Sequence, residues 1–527
     1  MRQTLPALIL TILIFITACE VKTPLTNRTI KYDGTTSVFD ITSYTHSNIT
    51  LTGVEGKDVY IVRANGRAST TNESSAMSIS PLNSQNARLD DQLSDRNESI
   101  EPEFTVLPHL PSMNFNPADV IKMPTSSNLL RNVSTASVER NIGDSNSFWI
   151  NDNIGSIVKK EDFKSITAKV RAKGEHCYIW VDDAHWSLVP TFTNAKITQT
   201  LANSLADKFD YIYPIVTNLF GYEKGGGSGG DGGIDRDKRI SILVYDIAGD
   251  YTPGNMSGIV GYFWGKDEFD DGVIPNMRSN ESEIFYIDSG FAKEAIELVY
   301  STLAHEFQHM INFNQKGEAT EVPAWYNEML SMLCEDVMVT HLNTPLSSSP
   351  AGTRPKEFSQ YYTTSGITEW NGATSYGTAF TFGAFLTRNY GGIELIAEMS
   401  RNRSVGIESI NDALASCGYS TTFDNVFWEF SKALVRRESS GLPGFDKDTP
   451  NTTYGNYSYR QAGFNLWDSK LGGGPDVYDF YSNYGQLRPY GNKVHSNRNW
   501  LDVSGDSISF QTGEYNSSSV KSFLVVR

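Results

Sequence analysis

Between Ala292 and Asn314 the chain carries neither Pro nor Gly, and its apolar residues fall at Ile296, Val299, Leu303, Phe307, Met310 and Ile311. Spacings of three and four put these on one face of a helix, and the stretch predicts about six turns. A second helical pattern runs from about Thr193 to Phe220, with Leu201, Leu205, Phe209, Ile212 and Ile215 in phase. A third should open near Pro323, because proline is favoured in a first helical turn and Gly317 breaks the chain before it. It would continue through Ala324-Trp325-Tyr326-Asn327-Glu328-Met329-Leu330-Ser331 to about Val339.

Strand patterns surround these helices. Phe148-Trp149-Ile150 is one, and Ile166 to Arg171 followed by Cys177 to Val181 reads as a pair. Arg239 to Asp246 and Glu283 to Asp288 read as two more, buried on both faces. Thr29 to Val62 alternates in strand fashion and predicts a β-rich N-terminal unit over residues 19–64. Residues 65–145 are rich in Ser, Asn, Thr and Pro with few aromatics, too little apolar surface to offset the entropy of ordering, and are read as a linker or pro-segment. Residues 441–527, rich in Gly, Asn, Ser and Tyr with a strand-like close at Val520 to Val526, are read as a β-rich or irregular appendage. The candidate catalytic unit lies between them, over residues 146–440, and the fold class expected is α+β.

A chain of 527 residues is long enough for several cores. Its 44 basic and 61 acidic residues give a net charge of −17, which repels phosphate backbones and speaks against a nucleic-acid partner. Met1-Arg2-Gln3-Thr4, an apolar run from Leu5 to Ile16, and Thr17-Ala18-Cys19 have the parts of a signal peptide over residues 1–18. Ile16-Thr17-Ala18-Cys19 resembles the lipobox of bacterial lipoproteins, which implies a lipid on Cys19 and an extracytoplasmic body anchored to a bacterial cell membrane without spanning it. With Cys19 so used, Cys177, Cys334 and Cys417 remain, so at most one disulfide can form and no Cys-x-x-Cys pair supports a thiolate metal site.

The glycine run from Gly225 to Gly233 is read as a connection; no Gly-Lys-Ser/Thr closes it as a phosphate loop would require. Asp231, Asp235 and Asp237 near it offer a calcium set, though their spacing departs from a helix-loop-helix calcium loop.

The chemistry-bearing residues lie on the first helix. Residues four apart on a helix share a face, so His305 and His309 in His305-Glu306-Phe307-Gln308-His309 can aim both imidazoles at one ion, with Glu306 beside it. Neutral imidazoles suit zinc, which takes three protein ligands in catalytic sites and leaves a fourth position for water. Glu328 on the third helix is the candidate third ligand, with Glu321 and Asp336 as rivals. Such an ion acidifies water and polarises a carbonyl, and Glu306 would then carry the proton from water to the leaving amine.

His305-Glu306-Phe307-Gln308-His309, 18 intervening residues and Asn327-Glu328-Met329-Leu330-Ser331 resemble the zinc signature of the gluzincin metallopeptidases. Trp325-Tyr326-Asn327-Glu328 is similar to their aminopeptidase branch, while Ala304 to Asn312 together with Cys177-Tyr178-Ile179-Trp180-Val181-Asp182-Asp183 resembles the hyicolysin family of secreted bacterial neutral metallopeptidases. The resemblance covers roughly Phe148 to Arg437. It implies a zincin-like domain, a sheet and active-site helix over a mainly helical lower half, with one catalytic zinc ion and protein or peptide substrates in the cleft. Many gluzincins carry an aspartate four residues after the glutamate ligand to orient a histidine; here that position is Met332, and Glu335 is a substitute. By analogy with gluzincin tyrosines, Tyr376 is the candidate transition-state donor, with Tyr361, Tyr362 and His185 as alternatives. A reading from another class is a surface lipoprotein adhesin whose zinc site is structural or vestigial.

Overall fold

The computed structural model describes residues 25–72, 79–81, 107–109, 139–151, 159–190, 194, 196–254, 258–318, 320–436, 442–479, 486–496, 506–512 and 519–527. The signal segment with Cys19 and most of the stretch read as a linker lie outside the described residues.

A seven-stranded mixed sheet forms the upper half of the central unit. Its strands are β1 (Leu107–His109), β2 (Ser145–Asn151), β3 (Phe163–Lys173), β4 (Cys177–Asp182), β5 (Ile240–Tyr245), β6 (Ile259–Phe263) and β7 (Ile284–Asp288), in the spatial order β1-β6-β7-β5-β4-β3-β2. The centre, β7-β5-β4, is parallel, and the flanking pairs β3–β4, β2–β3 and β6–β7 are antiparallel. β1 comes from within the 65–145 stretch and pairs in parallel with β6 at the edge. β4, β5 and β7 are buried at every position because both their faces are covered. Cys177, Ile179, Val181, Ile242, Val244, Phe285 and Ile287 face the helices. Tyr178, Trp180, Leu243, Tyr245, Ile284 and Tyr286 alternate with them and pack on the other side against Phe148, Phe163 and Trp264.

α1 (Gln199–Phe220) starts where the Thr198 side chain accepts the Leu201 N–H. α2 (Ile296–Lys316) is the helix foreseen over Ala292–Asn314, but its start is displaced. Asp288 caps a separate short helix, Ser289–Glu294, and Ala295, at φ −142 and ψ 55, interrupts the chain before α2 begins. Leu303, Phe307, Met310 and Ile311 of α2 join α1 and the sheet, with the Phe307 ring 5.1 Å from Phe209 and 5.2 Å from Tyr213. α3 (Ala324–Leu342) follows, with Pro323 at its N-cap, one position earlier than the first-turn placement expected. It packs on α2, and α4 (Pro350–Tyr361), α5 (Thr374–Asn389), α6 (Gly392–Arg401), α7 (Gly406–Ser416) and α8 (Phe423–Ala433) complete the helical half. The architecture is α+β, a sheet with its helix above a mainly helical half.

The two ends of the chain share sheets. Val59–Asn65 lies between Gly491–Ser496 and Val520–Val526, antiparallel to both, and Ser47–Thr52 pairs with Ser507–Thr512. The stretches 19–64 and 441–527, read apart from sequence, therefore contribute strands to common sheets. Alternation along Val59–Asn65 divides its contacts: Ile61 joins an outer apolar cluster with Ile49, Leu51 and Leu524, while Tyr60, Val62 and Ala64 enter the main core. Among the described residues Cys177, Cys334 and Cys417 are free thiols, and no helix is long and apolar enough to cross a membrane.

Candidate metal centre

α2 and α3 run antiparallel, and the polar residues of the expected motif fill the interface between them. His305, Glu306, His309 and Glu328 are all at most 1% exposed. The Nε2 atoms of His305 and His309 stand 3.0 Å apart, and the Glu328 carboxylate lies 3.3 Å from His305 Nε2 and 3.5 Å from His309 Nε2. His305, His309 and Glu328 form a group whose ligand atoms all lie within 4.8 Å of one another.

The outer ring nitrogens fix which way those rings face. His305 Nδ1 is 2.8 Å from Glu335 Oε1, an acceptor, so Nδ1 carries the proton. His309 Nδ1 is 3.1 Å from Asn327 Oδ1 and 2.9 Å from Ser331 Oγ. The Ser331 hydroxyl is donated to Gln308 Oε1, and the Asn327 oxygen is held by Asn312 Nδ2 at 2.7 Å. Both groups therefore present lone pairs to His309 Nδ1, which is the donor. With Nδ1 as the donor on each ring, the neutral imidazoles turn their Nε2 lone pairs, together with the Glu328 carboxylate, toward one point. That donor set, two imidazoles and a carboxylate, fits a zinc ion held by His305, His309 and Glu328. Burial alone would push the Glu328 carboxyl up, but the charge of His309 and the contacts to both histidines hold it well below the usual carboxylate range. Burial lowers His309, and Glu328, Glu306 and Asn327 together outweigh it and raise the imidazole above its usual value.

Of the remaining expectations, Glu335 takes the orienting position that Met332 leaves vacant, and Ser301 donates to its second oxygen at 2.8 Å. Asp336, a rival ligand, is turned away into an ion pair with Arg388 at 3.0 Å and a hydrogen bond from Gln461 at 2.7 Å. Glu321, the other rival, is exposed. Tyr376 opens α5 at 1% exposure, and after burial the Glu328 charge is the largest influence raising its hydroxyl, which places it within electrostatic reach of the centre. Its ring meets Trp370 edge-on at 4.9 Å and the Arg354 guanidinium at 5.0 Å. The alternatives are engaged elsewhere: Tyr362 donates to the Asp476 carbonyl at 2.6 Å, His185 pairs with Asp182 at 2.8 Å, and Tyr361 lines a surface cavity of about 640 Å³. The aspartates near the glycine run are bound locally: Asp231 accepts the Gly233 N–H, Asp235 the Asp237 N–H and the Ser282 hydroxyl, and Asp237 the Arg239 N–H and the Tyr178 hydroxyl.

Asn327 and Ser331 had been quoted only as motif context, and their role toward His309 needs the α2–α3 pairing to become visible. Arg354 was not singled out; a lone arginine in a polar helix carries no signal of its own.

Comparison with known proteins bears on the same stretch. A neutral metalloprotease, ShpI, of Staphylococcus hyicus is 28% identical over 304 residues, which is 53% of this chain and 61% of the relative. The match thus spans about three-fifths of that protein's length. The family model for Peptidase M30 matches residues 163–462, which include all of α1 to α8 and β3 to β7, and on that match the chain belongs to the Peptidase M30 family.

Proposed function

We propose that this chain is a zinc-dependent endopeptidase that hydrolyses peptide bonds of extracytoplasmic or host proteins. The observation that carries the reading is the donor set: two Nε2 lone pairs 3.0 Å apart, facing the Glu328 carboxylate in a buried interface, with both Nδ1 protons held by α3. Membership of a peptidase family and the likeness to a neutral metalloprotease support it.

His305, His309 and Glu328 would hold the ion, which when bound supplies Lewis-acid polarisation of a carbonyl and acidification of water. Glu306, one residue from His305 on the same helix and fully buried, is the group that accepts the water proton and returns it to the leaving amine. The Tyr376 hydroxyl, kept protonated by burial and by the carboxylates around it, donates a hydrogen bond to the carbonyl oxygen as charge develops there. Glu335, Asn327 and Ser331 hold the imidazoles in the tautomer that turns the Nε2 lone pairs toward the ion. Cys19 is the proposed lipid attachment, which would anchor the enzyme to a bacterial cell membrane on its extracytoplasmic side.

The test is to purify residues 20–527, quantify bound zinc, and follow cleavage of an unfolded protein by the wild type and Glu306→Ala. One zinc per chain in both and cleavage by the wild type alone is the expected result. Cleavage that survives the substitution would overturn the assignment of Glu306. Zinc without cleavage by the wild type, after any removable pro-segment has been taken off, would favour the adhesin reading.

A further inference from the structure

The glycine run that follows α1 closes over a group of acids remote from the histidines in sequence. Glu223, Glu268 and Glu283 are 2%, 1% and 2% exposed. Both carboxylate oxygens of Glu268, together with Glu223 Oε2 and Glu283 Oε2, are buried without a hydrogen-bond partner among the described residues. Glu223 Oε1 accepts the Tyr213 hydroxyl at 2.7 Å and Glu283 Oε1 the Ile234 N–H at 2.9 Å, so one oxygen of each is anchored and the other is left over. The charges that Glu268 feels are those of Glu283, Lys224, Glu318 and Glu223, in that order, which sets its carboxylate among this group. Lys224, the cation of the set, donates to Glu318 at 2.7 Å and to the Glu268 main-chain carbonyl at 3.1 Å, not to the Glu268 carboxylate.

Glycine is what lets the backbone reach these acids. A Cβ at Gly226 would lie 2.3 Å from Glu223 Oε1, and one at Gly233 would lie 2.0 Å from Glu283 Oε1. The loop is also tied to the end of α2, where Asn314 and Gln315 both donate to the Tyr222 carbonyl at 2.8 Å.

Buried carboxylates are stable when paired or when they coordinate a metal. We infer that Glu223, Glu268 and Glu283, gathered around the glycine run, form a binding site for one calcium ion that fastens this loop to the C-terminal end of α2. The donors are all oxygen and buried, which suits calcium better than magnesium, an ion that keeps several of its waters. Among the described residues only His305, His309 and Glu328 have donors all within 4.8 Å of one another, so the three glutamates stand wider apart than that.

The experiment uses the full, zinc-loaded chain, stripped of calcium with EGTA, and measures calcium uptake by titration calorimetry and thermal unfolding with and without millimolar CaCl2. Expected are one calcium per chain, a Tm several degrees higher with calcium, and a loss of calcium affinity of at least tenfold in Glu268→Gln and in Glu283→Gln. In EGTA, Glu268→Gln should melt no lower than the wild type, since it removes a buried carboxyl with no hydrogen-bond partner, and the order should reverse on adding calcium. Asp231→Asn, in the same loop, should bind calcium as the wild type does. No calcium uptake by the folded wild type, uptake of magnesium but not calcium, or unchanged affinity in both glutamine variants would each overturn the inference. If Glu268→Gln melts lower than the wild type in EGTA and in calcium alike, the carboxylate has a purely structural role and the site is likewise refuted.

Discussion

Replacing Glu335 by alanine removes the acceptor of the His305 Nδ1–H at 2.8 Å and of the Ser301 hydroxyl at 2.8 Å, in an interface where Glu335 is 6% exposed. The hydroxyl can rotate to another acceptor; the ring N–H cannot without turning the imidazole. Leaving a buried donor unsatisfied costs about 1–3 kcal/mol. At ~1.4 kcal/mol per factor of ten, this is a loss of zinc affinity on the order of 10–100-fold, the range found when the partners of metal-bound histidines are removed. Glu335→Gln keeps an oxygen for the N–H and loses only the charge, so its loss should be smaller, about tenfold or less. Zinc affinity is read by competition with a chromophoric chelator at fixed pH, and cleavage at saturating zinc separates affinity from catalysis. A Glu335→Ala variant that folds normally and binds zinc within twofold of the wild type would refute the reasoning, because the ring would then owe nothing to this partner.

Glu306→Gln should keep its zinc and lose about 10²–10⁴-fold in kcat, the usual share of a general base; retention of more than a tenth of wild-type kcat refutes the role. Tyr376→Phe should lower kcat by roughly 10²-fold with KM and zinc content nearly unchanged, and a change confined to KM would make Tyr376 a packing residue. Asn327→Ala should cost zinc affinity less than Glu335→Ala, because Ser331 Oγ remains 2.9 Å from His309 Nδ1 and the lost partner is neutral; an equal or larger loss in the same chelator assay contradicts this. Asp288 is pushed up to about 7 by burial, which its two backbone N–H bonds offset only in part. A folded pKa above the unfolded value of 3.8 means that the stabilisation is complete below pH 3.8 and is lost as pH rises toward 7, by at most on the order of 4 kcal/mol. Thermal melts of Asp288→Asn across pH 4–8 should show that slope flattened, and an unchanged slope excludes Asp288 as its source.

The helices and central strands were legible because each carries its own period: the apolar positions of α2 and the unbroken runs of β5 and β7 state their element without reference to partners. The histidines and Glu328 were legible for a similar reason, since four-residue spacing is a local geometric fact and the third ligand lies on the next helix. What escaped depends on distant pairing. The partnership of Val59–Asn65 with Val520–Val526 joins segments more than four hundred residues apart, and nothing in either names the other. Tyr376 was reached by analogy, and only packing shows it within range of Glu328 and Glu306. The calcium candidates were sought at Asp231, Asp235 and Asp237 because aspartates beside glycines look like a loop site. The acids with oxygens to spare come instead from three separate elements, and exposed or self-satisfied aspartates cannot be told from needy ones without burial. The break at Ala295 has no sequence signal that we can identify, since alanine favours continuation.

The two buried acid groups of the central unit lie at different stations along α2 and are separated by the chemistry of their donors. Around His305 and His309, Glu306, Glu328 and Glu335 are 0%, 0% and 6% exposed, and the point they surround is faced by two imidazole nitrogens. Two imidazole nitrogens and one carboxylate suit zinc, the ion proposed for this centre, and Glu306 is the proton acceptor proposed beside it. Beyond Asn314 and Gln315, Glu223, Glu268 and Glu283 around the glycine loop offer carboxylate oxygens, a hard set that zinc favours little and calcium favours strongly. α2 therefore carries the nitrogen-rich group in its middle, and the oxygen-rich one stands by the loop tied to its end. A chelator chosen for calcium should loosen the end of α2 while leaving zinc in place, and one chosen for zinc should stop cleavage while leaving the loop fastened.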